Sequence, residues 1–280
     1  MKKKSAGHSA FFNLHLLITL YAFLAVTVLA VFASGALSNA FAQPRGAKPA
    51  ANLAQGQIAI PQSRDQITGQ NFWAQTNGPQ GGDGIALATN ATGHVFVGTQ
   101  GGGVFRSTDN AETWTAVNNG LSATNVRALA INATGHVFVG TFGGAFRSTD
   151  NGDSWTAINN GLEFPFVISL AINSSGDIFA GTFEGGGVFR STDNGDSWTL
   201  IDNGLTNTYV TALAINSSDD IFAATFGGGA FRSTDNGDSW TGLNTGVPNA
   251  TFLSLAINAS GYIFAGRRSS WWSCRCTSFD

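Results

Sequence analysis

The chain has little charge, little proline and almost no cysteine, and each shortage excludes something. Charged residues make up 11% of its 280 residues, well below the share of an ordinary soluble domain. That excludes a charge-solvated disordered chain, a coiled coil and a basic nucleic-acid binder. All four lysines (Lys2, Lys3, Lys4 and Lys48) precede residue 49, and every acidic residue lies at Asp65 or later. A lysine-free, mildly acidic body has no electrostatic attraction to nucleic acid or anionic lipid. The two cysteines, Cys274 and Cys276, sit one residue apart near the end. That spacing is too short for an ordinary disulfide, and two thiols do not make a metal site. No metal and no cofactor are expected. Proline occurs 6 times against 36 glycines, so glycine carries the turns. The glycines are too irregular for collagen.

What is present begins with an export signal. Lys2 to Lys4 form a positive n-region, Phe11 to Phe32 is almost wholly apolar, and Ala40-Phe41-Ala42 fits a small-x-small cleavage site. Residues 1–42 are therefore read as a signal peptide, with an uncleaved N-terminal anchor as the alternative, since the apolar run nearly spans a bilayer. Either way the body is secreted, periplasmic or on the cell surface. Any membrane contact is expected only through an uncleaved N-terminal segment. Residues 43–70, rich in Ala, Gln, Pro and Gly, read as a flexible linker.

Residues 71–266 are a repeat. Ser107-Thr-Asp-Asn-Ala-Glu-Thr-Trp114 recurs as Ser148 to Trp155, Ser191 to Trp198 and Ser233 to Trp240. Trp73, Trp114, Trp155, Trp198 and Trp240 are spaced by 41, 41, 43 and 42 residues. Leu-Ala-Ile-Asn recurs at 129–132, 170–173, 213–216 and 255–258, followed by a Val/Ile-Phe segment and, in all but the last, by a threonine, a glycine cluster and x-Phe-Arg. These segments are too short for helices and rich in strand formers. In the second unit they place strand A at 126–131, B at 137–141, C at 145–147 and D at 155–158. Four antiparallel strands at this period predict an all-β fold, a β-propeller with about five blades visible and the last one incomplete. Phe72-Trp73-Ala-Gln matches strand D, so it is expected to complete the last blade and close the ring.

The repeated octapeptide resembles the Asp-box, or BNR, motif S-x-D-x-G-x-[ST]-W. Propellers related to sialidases, xyloglucanases, sortilin and photosystem II assembly factors carry it in the C–D hairpin. The resemblance covers about residues 71–266, and the first copy departs from it with Ala111 in place of glycine. It implies that Ser107, Asp109, Trp114, Ser148, Asp150, Gly152, Trp155, Ser191, Asp193, Gly195, Trp198, Ser233, Asp235, Gly237 and Trp240 are structural. Their chemistry agrees. An Asx-type turn uses Asp as acceptor, glycine permits the tight loop, and Trp packs between blades. Asp-Asn-Gly-Asp also looks like the start of an EF-hand loop, but the later bidentate Glu and the flanking helices are missing.

The resemblance includes glycoside hydrolases, so a catalytic site must be sought. A sialidase-like site needs three convergent arginines and a tyrosine nucleophile. Arg106, Arg147, Arg190 and Arg232 instead recur once per unit beside the box, as hairpin or rim partners. The body's only tyrosines are Tyr209 and Tyr262, the latter in an A–B turn. A two-carboxylate hydrolase needs unmatched acids. Asp177 and Asp220 lie in A–B turns and are expected to be solvated, which leaves Asp83, Glu163 and Glu184 as weak catalytic candidates. Nearly identical units argue against catalysis.

Variation falls on one end. The D–A connections differ among units, and the B–C loops carry Gln100, Phe142, Phe183 and Phe226 before their glycines. Variable loops on a uniform scaffold are where binding resides. Gln100, Asn125, Phe142, Phe164, Phe166, Phe183, Tyr209 and Phe226 are therefore the candidate binding residues, for a protein or glycan partner. Asn90, Asn132, Asn173, Asn216 and Asn258 each head an N-x-[ST] triplet. Their recurrence in the A–B turn favours hairpin capping over glycosylation.

Residues 267–280 break the pattern. Back-translating Trp271 to Asp280 and shifting by one base permits Gly-Gly-Arg-Val-Gly-Val-Leu-Arg-Ser-Thr, close to the missing strand C. A frameshift is the expected cause, and the closing unit is expected to lack its strand C.

Overall fold

Val, Ile and Phe at neighbouring positions give extended segments that are apolar on both faces, and such strands must be covered on both sides. The computed structural model describes residues 78–79, 81–243, 250–270 and 273–279, with residues 268–270 and 273–279 described by backbone alone. It is all β-strand, without helix among the described residues. The strands form five antiparallel sheets in chain order. Blade one holds β1 (Gly84–Thr89), β2 (Val95–Thr99), β3 (Gly103–Ser107) and β4 (Thr115–Ala116). Blade two holds β5 (Val126–Ile131), β6 (Val137–Thr141), β7 (Gly144–Ser148) and β8 (Thr156–Ala157). Blade three runs from β9 (Val167–Ile172) through β10 (Ile178–Thr182) and β11 (Val188–Ser191) to β12 (Thr199–Leu200). Blade four runs from β13 (Val210–Ile215) through β14 (Ile221–Thr225) and β15 (Gly229–Ser233) to β16 (Thr241–Gly242). Blade five has β17 (Phe252–Ile257), β18 (Ile263–Ser270) and β19 (Ser273–Phe279). No helix of the described residues is long and apolar enough to cross a membrane.

The first two strands predicted for the second unit match the observed ones. The third is longer by a residue at each end, and the fourth shrinks to two residues. Strand D is short because the Trp155 N–H leaves its own ladder and donates to Asn119 O of the preceding blade, at 2.8 Å. The first strands of successive blades, β1, β5, β9, β13 and β17, pack on one another as the innermost layer.

The core lies between blades. Phe96, Phe138, Phe179 and Phe222 occupy one position of the second strand and are at most 2% exposed. Each is worth about 1.5–3 kcal/mol of burial. Close stacking explains the glycine after the Phe-Val or Phe-Ala pair in blades one, two and three, where blade four has the small Ala224. A Cβ added at Gly140 would stand 2.6 Å from Val167 Cγ1 of the next blade. In blade five the equivalent Phe264 is 39% exposed, and among the described residues no further blade covers it. The closing strand expected at Phe72-Trp73 lies outside the described residues.

One expectation fails. The closing unit does have a third strand, β19, paired with β18 from Ile263↔Phe279 to Ser270↔Ser273. Backbone pairing needs only an extended neighbour, and β18 presents a free row of N–H and C=O groups. An off-pattern tail can therefore supply a strand.

The C–D glycines show how the repeat constrains its residues. Gly195 has φ 95°, and a Cβ there would stand 2.5 Å from Ile158 Cδ1 of the preceding blade. Gly176 has a similar φ of 89°, but a Cβ there meets nothing within 4 Å. Gly176→Ala should cost about 1–2 kcal/mol for the left-handed backbone alone. Gly195→Ala adds overpacking of about 1–3 kcal/mol. Urea unfolding of the two variants checks that order.

Candidate functional site

The two ends of the blade array differ in kind. At one end the A–B and C–D turns form a repeated network. Ser148 Oγ donates to Asp150 Oδ1 at 2.7 Å and accepts the Gly152 N–H at 2.7 Å. Asp150 also accepts the Ser154 N–H at 2.9 Å and the Ser154 hydroxyl at 2.5 Å. The Trp155 indole N–H then donates to Val117 O of the preceding blade, at 2.7 Å. Trp198 and Trp240 repeat this bond to Ile158 O and Ile201 O. Trp114 Nε1 is buried with no acceptor among the described residues. Its equivalent acceptor position, Thr76, lies outside them.

The arginines beside the loop are inter-blade clasps. Arg106 bonds Asn151 O at 2.6 Å and Asp153 at 2.8 Å in the next blade. Arg147 and Arg190 do the same to Asp196 and Asp238. Arg232 pairs instead with Asp220 of its own blade, at 2.7 Å. Asp220 is only 9% exposed, and Asp177 accepts from Asn236 of the next blade at 2.8 Å. The expectation that both acids are solvated is thus corrected: Asp177 is bonded by the next blade's turn, and Asp220 is held by Asn216 and Arg232 of its own blade. The turn asparagines cap their hairpins, as Asn90 Oδ1 does by accepting the His94 N–H at 2.9 Å. Their amides also reach the next blade, as Asn90 Nδ2 does to Asn151 Oδ1, at 2.9 Å. These cross-blade amide bonds carry no signal within one repeat and were missed.

The other end holds the D–A and B–C loops. A buried threonine closing each B–C loop sets their shape: Thr141 Oγ1 donates to Gly144 O at 2.8 Å, and Thr99, Thr182 and Thr225 do the same. The residue after that threonine meets the end of the next D–A connection. In two places this is an edge-to-face aromatic pair. Phe142 stands 5.6 Å from Phe166, and Phe183 stands 5.6 Å from Tyr209. At the first such place the pair is polar, Gln100 bridged to Asn125. Phe164, Tyr209 and Phe226 are exposed, at 37%, 41% and 41%. Phe183 is buried, so it supports Tyr209 rather than facing solvent.

The three candidate acids do not converge. The connection bearing Glu163 meets the loop bearing Glu184, since a Cβ added at Gly186 would lie 2.6 Å from Phe164 Cβ. Asp83 stands apart at the entry to blade one, where its carbonyl accepts the Gln100 N–H at 3.0 Å. Among the described residues no group of three or more His, Cys, Asp and Glu is placed to hold a metal.

A residue given no role from the sequence also lies here. Arg127 sits at the β-bulge between Val126 and Ala128 on the innermost strand. It is 7% exposed, and its guanidinium lies 5.1 Å from the centre of the Phe142 ring. Burial lowers its pKa below the ordinary arginine value. Nη1 has no hydrogen-bond partner, and neither do Gln100 Oε1 and Asn125 Oδ1. The signal was available by aligning the units: the same bulge position holds Ile85, Ile168, Thr211 and Leu253.

No protein-family model matches the chain, and no curated protein matches it. Solved structures do. An ancestral GH74 enzyme is 20% identical with a TM-score of 0.57, over 75% of this chain and 33% of that one. The GH74 xyloglucanase from Xanthomonas campestris is 16% identical with a TM-score of 0.59, over 71% and 36%. YCF48 bound to D1 peptide is 16% identical with a TM-score of 0.53, over 67% and 62%. The chain thus spans about a third of the GH74 enzymes it matches. At these identities the likeness establishes the propeller fold.

The C–D loops make stability depend on acid in a defined way. Hydroxyl donation, from Thr113 to Asp109, Ser154 to Asp150 and Ser239 to Asp235, lowers these carboxyls from 3.8 to about 2. The folded pKa is the depressed one. Their contribution is therefore complete above the unfolded value and is lost as pH falls through the folded one. The urea midpoint should fall between about pH 4 and pH 2. Asp150→Asn should lower the midpoint at pH 7 and flatten that acid slope.

Proposed function

We propose that the chain is an exported β-propeller of the Asp-box type, with residues 1–42 as its export signal. It binds a protein or glycan partner through the D–A and B–C loop end. The observation that carries this reading is the contrast between ends. One end repeats the same hydrogen bonds blade after blade. The other changes residue by residue and exposes Phe164, Tyr209 and Phe226. Exposed aromatics on variable loops supply contact area at low entropic cost. Related folds accommodate both uses, since the structural neighbours include a xyloglucanase and a propeller bound to a peptide.

One observation favours a second reading, a glycoside hydrolase with Glu163 and Glu184 as its acid pair: their two loops pack together. Against it, Asp83 is remote and the blades lack the asymmetry that catalysis needs.

Glycan and peptide arrays, together with chromogenic glycosides, separate the two. Binding without turnover is expected. Tyr209→Ala should weaken binding by at least about tenfold, as loss of a central aromatic contact does, with little change in thermal stability. Glycoside turnover abolished by Glu163→Gln or Glu184→Gln would overturn the binding reading.

A further inference from the structure

We propose that Arg127 is the anchor for a carboxylate on a bound peptide, at the loop end of blade two. The inference rests on the binding reading above and names the chemistry of its ligand. A buried guanidinium without a carboxylate is costly. Phe142 covers one face of the guanidinium, but cation–π contact satisfies none of its in-plane N–H donors. Among the described residues Arg127 makes no hydrogen bond and no ion pair. Every other unit puts Ile, Thr or Leu at this bulge, so the fold does not require arginine here. Bulges re-aim side chains, and this one serves the innermost strand beside the variable loops.

The surroundings differ from the other blades in the same direction. Where blades two and three carry aromatic pairs, blade one carries Gln100 and Asn125. Both leave a buried side-chain oxygen unpartnered. The loop end of blades one and two therefore holds unused hydrogen-bonding capacity in both amides as well as in the arginine. Asn125 stands only two residues before Arg127 in the chain, and the unpartnered atoms of Arg127, Asn125 and Gln100 at this loop end point to a ligand that completes them. An arginine recognises a carboxylate by two parallel N–H donations. Backbone N–H groups next to a carboxylate suit the amide oxygens.

The wider charge pattern selects a peptide over an acidic polysaccharide. Asp83 and Glu163 are exposed on the neighbouring loops. They repel a polymer with a carboxylate on every sugar and tolerate a chain with one carboxylate at Arg127 and neutral or cationic residues around it.

The test uses the full chain and an array of decapeptides, each spotted as a free acid and as its amide, with Asp/Glu and Asn/Gln versions. Oligogalacturonate serves as the second arm. Wild type should prefer the carboxylate version of a bound peptide at least tenfold, and Arg127→Met should abolish that preference. Arg127→Met should also raise the melting temperature, because an unpaired buried charge is replaced by an apolar chain of similar length. Peptide binding that ignores amidation or survives Arg127→Met would overturn the proposal. So would binding of oligogalacturonate alone, binding of no probe, or a lower melting temperature in both Arg127→Met and Arg127→Leu. Tyr209→Ala separates the two levels. Binding lost there but kept in Arg127→Met sinks the anchor and keeps the face, whereas binding kept in both sinks the face.

Discussion

The clasp between consecutive blades is the interaction on which the rest depends. A two-residue outer strand cannot hold a blade, and a four-stranded sheet that is apolar on both faces cannot stand alone. Each blade is stable only as its neighbours cover it. The covering is directional. A tryptophan joins the buried cluster that holds the phenylalanine of the blade before it, and its indole N–H donates to that blade's carbonyl oxygen. An arginine from the earlier blade reaches forward to the same loop. The salt bridges within this clasp are largely exposed on the aspartate side and contribute little by themselves. The bonds to backbone oxygen and the buried rings carry the clasp.

This dependence accounts for which features were legible in the sequence. The octapeptide is legible because several of its residues each answer a separate demand. Ser148, Asp150 and Ser154 close the turn, Gly152 admits the preceding blade, and Trp155 bonds it. The strand positions follow from the same period, and the first two strands of the second unit fall where the pattern puts them. Strand D was misjudged in length because its backbone bonds the neighbouring blade, and a pattern within one unit does not show that.

The candidate site was legible only in outline. Loop variation located the face and its aromatics, but it could not rank them. Phe183 and Tyr209 look alike in sequence, yet one is buried under the other. Asp177 and Asp220 read as solvated turn residues because turns are usually wet. In an array of blades the turn of one unit lies against the loop of the next, where Asp177 finds its partner, while Asp220 pairs with Arg232 of its own blade. Arg127 was visible as an exception to the repeat, but its meaning required burial and the absence of an acceptor. Neither is a property of spacing.

The division between ends also has an energetic consequence. Because stability accrues at every blade interface, no single loop at the variable end needs to contribute to it. A buried arginine and two unsatisfied amides cost several kcal/mol in isolation. A single compact core of marginal stability would be strained by that. In a repeat array the cost stays local to the loop end of blades one and two, while the buried cluster between blades three and four remains intact. The uniform end is thus what permits the other end to hold polar groups in a state that only a ligand completes. Sequence identity among the C–D loops and sequence difference among the D–A loops are then two sides of one physical arrangement.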